Sequence, residues 1–189
     1  MKKTFLALAI TGLLISACGS PKQKEVAKAD LPNSGDQIER GEFLVTTLGC
    51  NDCHSPKVMT ERGPIPDPNR FLSGHDSGEV LPGYDPQSVG GYVLFNMNGT
   101  ATIGPWGTSF AANLTPDATG IGFWSEAQFI KAIKSGKYKG LDNSRPLLPP
   151  MPWEGYSKLP DEDLKAIFAY LKSIKPVKNI VPQAILPGT

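Results

Sequence analysis

Three cysteines and two histidines in 189 residues leave little material for a disulfide framework or a histidine-rich metal site. Charge is balanced as well: 19 basic against 18 acidic residues give a formal net charge of +1, so the composition does not call for nucleic acid as a partner. No apolar run reaches the ~18 residues that a membrane-spanning helix needs. Alternating strand and helix patterns are missing, which argues against a parallel α/β fold. No glycine-rich phosphate loop, serine triad spacing or paired carboxylates with a base stand out either. Proline and glycine, by contrast, are plentiful at 18 and 20 residues, a composition suited to short helices and many ordered loops.

Two of the cysteines stand in Cys50-Asn51-Asp52-Cys53-His54. This is the C-x-x-C-H pattern at which haem c is fixed by two thioether bonds while the histidine takes the iron. One helical turn sets both sulfurs beside the two vinyl groups of a single porphyrin, and the next residue then directs its ring to the metal. A thioredoxin-like redox pair would want a strand-helix context that is not seen here. A zinc site would have to be assembled from Cys50, Cys53, His54 and His75, and the adjacency of Cys53 to His54 strains a tetrahedral arrangement.

The third cysteine has a different setting. Lys2 and Lys3 precede an apolar run from Phe5 to Ile15, followed by Ser16 and Ala17, which reads as an export signal over residues 1–17. The segment Ile15-Ser16-Ala17-Cys18 resembles the lipobox of bacterial lipoproteins, which implies lipid on Cys18 and a membrane anchor facing the periplasm or cell exterior. Residues 18–35 carry hardly any large apolar side chain and read as a flexible tether. The remaining segment, 36–189, reads as one domain.

Within that domain, Asp36 to Leu48 reads as a first helix, with Ile38, Leu44, Val45 and Leu48 on one face. Gly41 inside it costs roughly 1 kcal/mol against alanine, so a close approach of another helix is expected there. Residues 56–122 are punctuated by proline and glycine every few positions and are expected as ordered loops with a short hairpin around Tyr92 to Phe95. Ser125-Glu126-Ala127-Gln128 forms a capping box, in which Ser125 takes the Gln128 amide and the Gln128 side chain reaches back. The helix it starts ends at Gly136. Asp161 to Ile174 is the last helix, with Leu164, Ile167, Phe168 and Leu171 as its buried stripe and Tyr170 beside it, placed to cross the first helix near Gly41.

A helix before the haem motif, a loop-rich middle, and a helix after a proline-methionine segment resemble class I cytochrome c over residues 36 to 176. The segments Asn113-Leu114-Thr115-Pro116-Asp117, Thr119-Gly120-Ile121-Gly122-Phe123-Trp124-Ser125 and Met151-Pro152-Trp153 are similar to bacterial cytochromes that partner alcohol, aldehyde and sugar dehydrogenases. Such dehydrogenase subunits often carry three C-x-x-C-H motifs, and this chain carries one. The resemblance implies a mostly α fold around one covalent haem. It also implies an axial methionine at Met151, which lies in the stiff segment Leu148-Pro149-Pro150-Met151-Pro152-Trp153. Met97 and His75 remain alternatives for that position, whereas Met59 lies too near His54 in sequence to reach over the ring. Class I cytochromes often hold the proximal histidine through a proline carbonyl, for which Pro64 is the candidate. Trp106, Phe110 and Trp153 are expected as walls of the haem pocket.

The expected function is electron transfer, one electron at a time, between an exported dehydrogenase or respiratory-chain donor and an acceptor such as an oxidase or another cytochrome. The alternative is a haem enzyme of peroxidase or reductase type, or a gas or redox sensor, with an open iron site.

Overall fold

The computed structural model describes residues 34–188. The signal segment, Cys18 and nearly all of the tether lie outside the described residues, as does Thr189. Five α-helices are present among the described residues: α1 (Ser34–Thr47), α2 (Cys50–His54), α3 (Glu126–Lys134), α4 (Trp153–Tyr156) and α5 (Asp161–Ser173). The first helix starts two residues before the expected Asp36.

The core forms where α1 and α5 cross. Leu44 and Val45 of α1 meet Leu164, Ile167, Phe168 and Leu171 of α5, and Phe129 and Ile133 of α3 complete the cluster. Each such side chain contributes roughly 1.5–3 kcal/mol when fully buried. Gly41 is the contact point: a Cβ there would run into the backbone of Ala166 and the Cβ of Tyr170. The glycine therefore permits the crossing, and Tyr170 lies where the stripe predicted. At the open end of the crossing, Arg40 grips Asp163 through two nitrogen-oxygen contacts of 2.9 and 3.1 Å.

The middle of the chain departs from the expectation of a mostly α protein. Strands β1 (Lys57–Thr60) and β2 (Gly63–Pro66) pair antiparallel, and a second sheet has the order β3-β4-β5, from Leu94–Phe95, Ala101–Gly104 and Gly107–Phe110. The expected hairpin near Phe95 is thus one edge of a three-stranded sheet. Its turns are set by single residues, which short-range periodicity does not register. The Asn96 side chain accepts from the amides of Thr100 and Ala101 at 2.8 and 2.9 Å, and Gly107 takes φ 95° at the β4-β5 turn.

After α5 the chain returns across the molecule. Ile185 exchanges both backbone hydrogen bonds with Thr108 of β5, at 2.8 and 2.9 Å. The intervening segment is fastened by asparagines: Asn113 Nδ2 donates to the Val177 carbonyl at 2.8 Å, and Asn179 Nδ2 donates to the carbonyls of Ser73 and His75 at 2.8 and 2.7 Å.

Candidate functional site

The helices do not close fully on one another. They surround a cavity of about 470 Å³, within the ~300–1,000 Å³ of cofactor and ligand sites. Core side chains such as Val45, Phe129, Leu164 and Leu171 form its inner wall.

Cys50, Cys53, His54 and Met151 all line this cavity, although Met151 lies about a hundred residues further along the chain. Gly49, at φ 70°, ends the run of α1 and lets α2 start in a new direction with Cys50 at its head. Tyr156 of α4 fixes this junction by donating to the Leu48 carbonyl at 2.7 Å. Lys57 closes the other end of α2, its ammonium donating to the carbonyls of Asp52 and Ser55 at 2.7 and 2.6 Å.

The two cysteines are free, and burial raises both thiols, Cys50 to about 11. Neither is an activated thiolate of the redox-motif kind at neutral pH. Burial also draws the His54 pKa down, which keeps the imidazole neutral. Its Nδ1 lies 2.8 Å from the Ala112 carbonyl oxygen. A carbonyl only accepts, so Nδ1 carries the proton and Nε2 keeps a lone pair for a metal.

Several expectations are corrected here. Pro64 does not hold His54: it is exposed in β2, paired with Met59, and the carbonyl that serves is Ala112. Trp106 does not line the cavity. Its ring folds back over Gly104, and its Nε1 donates to Ser109 Oγ at 3.3 Å. Ser109 in turn donates to the Pro149 carbonyl at 2.7 Å, so Trp106 acts behind the wall, on the segment that leads to Met151. Trp153 also lies off the cavity, with its ring against Gly136 at the end of α3, where φ is 59°. Phe110 does form part of the wall. His75, expected in an exposed loop, is 1% exposed, stacks on Phe110 at 4.8 Å and pairs with Thr100 Oγ1 at 2.9 Å. Met97 and Met59 are 88% and 72% exposed, and neither lines the cavity. The Gln128 side chain does not complete the capping box at Ser125 but donates to the Lys139 carbonyl at 2.9 Å.

Two features had weak sequence signals or none. Ala112 is a backbone acceptor, which any residue type supplies. The Asn113-Leu114-Thr115-Pro116-Asp117 segment was visible only as a likeness. In the fold, Asn113 Oδ1 accepts from the Thr115 amide and hydroxyl at 2.9 and 2.8 Å, while its Nδ2 holds the C-terminal segment whose residues Ile180 to Ala184 cover one side of the cavity.

No protein-family model matches the chain. It is 29% identical over 187 residues, 96% of its length, to the fructose dehydrogenase cytochrome subunit of Gluconobacter japonicus, of which it covers 30%. It is 39% identical over 179 residues, 92% of its length, to a nicotinate dehydrogenase subunit of Pseudomonas putida, of which it covers 12%. With the gluconate 2-dehydrogenase cytochrome c subunit of Pantoea cypripedii it shares 28% over 189 residues, 99% of its length and 32% of that subunit. The chain is similar to the cytochrome subunits of dehydrogenases. It spans about a third or less of the length of these relatives. Among the described residues no helix is long and apolar enough to cross a membrane.

Proposed function

We propose that this chain is a monohaem c-type cytochrome of the class I kind, carrying single electrons between a dehydrogenase or respiratory-chain donor and an acceptor. The observation that carries this reading is the convergence of Cys50, Cys53, His54 and Met151 on one apolar cavity, with the His54 ring already committed through Nδ1 to Ala112. The residues fit the group: two protonated thiols one helical turn apart for thioether bonds, a neutral imidazole with Nε2 free, and a thioether sulfur from a separate segment. When bound, haem c supplies an iron centre that changes charge by one electron. The protein's part is to hold and shield it. Ala112 fixes the orientation of His54, and that hydrogen bond also raises the basicity of the ring. Ser109, through Pro149, and Trp153, against Gly136, fasten the chain on either side of Met151.

The visible spectrum in both oxidation states tests this reading. Sharp, low-spin bands of a c-type haem, one haem per chain, and slow carbon monoxide binding by the reduced protein are expected. Rapid carbon monoxide binding by the unmodified protein would favour the enzyme or sensor instead.

The same reading includes a signal over residues 1–17, lipid on Cys18 and a tether to residue 35. It implies partition of the wild type into detergent and membranes, with Cys18→Ala recovered in the soluble exported fraction. A wild type that is freely soluble, with a mature N-terminus other than Cys18, would remove the anchor from the proposal.

A further inference from the structure

The helix that presents Cys50, Cys53 and His54 is only five residues long, so most of its carbonyls find no partner inside it. Groups from outside the helix serve them instead. The Gly74 amide donates to the His54 carbonyl at 2.8 Å. The Lys57 ammonium donates to the carbonyls of Asp52 and Ser55 at 2.7 and 2.6 Å and lies 3.5 Å from the carbonyl oxygen of Asn51. One cation therefore grips the chain on both sides of Cys53 and His54.

The aim of that side chain is set by its backbone. Pro56 is fully buried, and its carbonyl accepts from the Asp67 amide at 2.8 Å. Lys57 then opens β1 opposite Pro66. Its amide donates to Asn98 Oδ1 at 3.0 Å, and Asn98 Nδ2 donates in turn to Glu79 Oε2 at 2.9 Å. With the main chain pinned in this way, the lysine side chain turns back along α2 and is only partly exposed.

The charge it brings there is not cancelled by a close acid. Among the described residues no carboxylate lies within ion-pair distance of Lys57, whereas Arg40, Arg70, Lys131 and Lys134 each pair with an aspartate. No aspartate or glutamate lines the cavity either. Carbonyl oxygens solvate an ammonium but leave its unit charge in place, and a partly buried charge is screened by salt much less than an exposed one. The field of Lys57 reaches the imidazole: burial draws the His54 pKa down, and the lysine charge pushes it the same way.

We propose that Lys57 is a positioning residue that sets the reduction potential: its ammonium locks the segment presenting His54 and, as a fixed charge behind that ligand, favours the reduced iron. This rests on the reading of the cavity as a haem site. Oxidation adds a positive charge at the iron, and a cation held beside its ligand opposes that change. Without the ammonium, the carbonyl oxygens of Asp52 and Ser55 would turn their negative ends on the same region unopposed and favour the oxidised state. Lys57 does not line the cavity, so it acts through α2 and through space, not by touching the haem.

The test uses the full haem-loaded chain. Lys57→Met and Lys57→Gln remove the charge, Lys57→Arg keeps it, and Arg62→Met, at the exposed turn of the same hairpin, is a control of equal charge change. Covalent haem, one per chain, and the axial-ligand bands of the wild type are expected in all four. Lys57→Met should lower the reduction potential by more than Arg62→Met does, and the excess should persist in high salt, which screens the exposed arginine. Lys57→Arg should lie closer to wild type than Lys57→Met, and Lys57→Gln carries the test if Lys57→Met does not fold. Neutral variants whose potential matches that of Arg62→Met overturn this proposal alone. So does a Lys57→Arg potential as low as that of Lys57→Met, which would assign the effect to fit and not to charge, and so do altered axial-ligand bands in the neutral variants, which would assign it to a changed ligand. A wild-type chain without covalent haem overturns the reading of the cavity and this proposal with it.

Discussion

Replacing Met151 by alanine is expected to abolish the long-wavelength sulfur-to-iron band of the oxidised protein and to make the reduced protein bind carbon monoxide readily. The reduction potential should also fall, on the order of 0.1 V within the ~0.8 V over which axial ligands set haem potentials. A thioether stabilises the reduced iron, so its loss moves the potential down. The choice of Met151 over its rivals follows from position. It is half-buried on the cavity wall and packs against the core cluster, whereas Met97 and Met59 are largely in solvent. His75 is buried, but its Nδ1 is engaged by Thr100 and its side chain does not line the cavity. Met97→Ala should therefore leave the band, the potential and the gas binding nearly unchanged. His75→Ala should lower stability, since it removes a buried ring, without removing the band. A band that survives Met151→Ala and is lost in Met97→Ala would reassign the ligand.

Cys50→Ser together with Cys53→Ser is expected to leave no haem on the polypeptide after acid-acetone extraction, where the wild type keeps one per chain. The larger effect should be on folding. Val45, Phe129, Ile133, Leu164, Ile167 and Leu171 belong both to the cavity wall and to the α1-α3-α5 core, so a chain that cannot retain its occupant leaves one side of these core side chains facing water. At roughly 1.5–3 kcal/mol for each side chain that loses its burial, against a net domain stability of about 5–15 kcal/mol, the loss is large. Loss of the cooperative thermal transition, measured by far-ultraviolet circular dichroism, is the expected result. A double variant that melts as sharply and as high as the wild type would show that the helices close on one another without the group.

The helical frame was legible because its signals are local. Gly41, the stripe from Leu164 to Leu171 and the Ser125 cap each act within a few residues, and the α1-α5 crossing at Gly41 followed from them. The sheets of residues 57–66 and 94–110 were not legible. Their strands are two to four residues long, too short for a period to declare itself, and the register of the second sheet depends on the Asn96 side chain and on Gly107. The expected helix-plus-loop protein is therefore a mixed one.

The sequence by itself determined the chemistry offered at the cavity: two thiols at one-turn spacing, the adjacent imidazole and a methionine held between prolines. These are covalent and local properties of the chain, independent of how distant segments meet. Tertiary structure alone decided which distant atoms serve them. Ala112 rather than Pro64 holds His54, because the return of the chain after β5, not the strand after the motif, passes beside the ring. Trp106 and Trp153 support the Met151 segment from outside rather than walling the cavity, since their rings fold onto Gly104 and Gly136. Arg145 lies over the Tyr138 ring only because the turn after α3 pairs with the segment before Met151. Each of these depends on a backbone contact between distant stretches, and such contacts leave no spacing in the sequence to read.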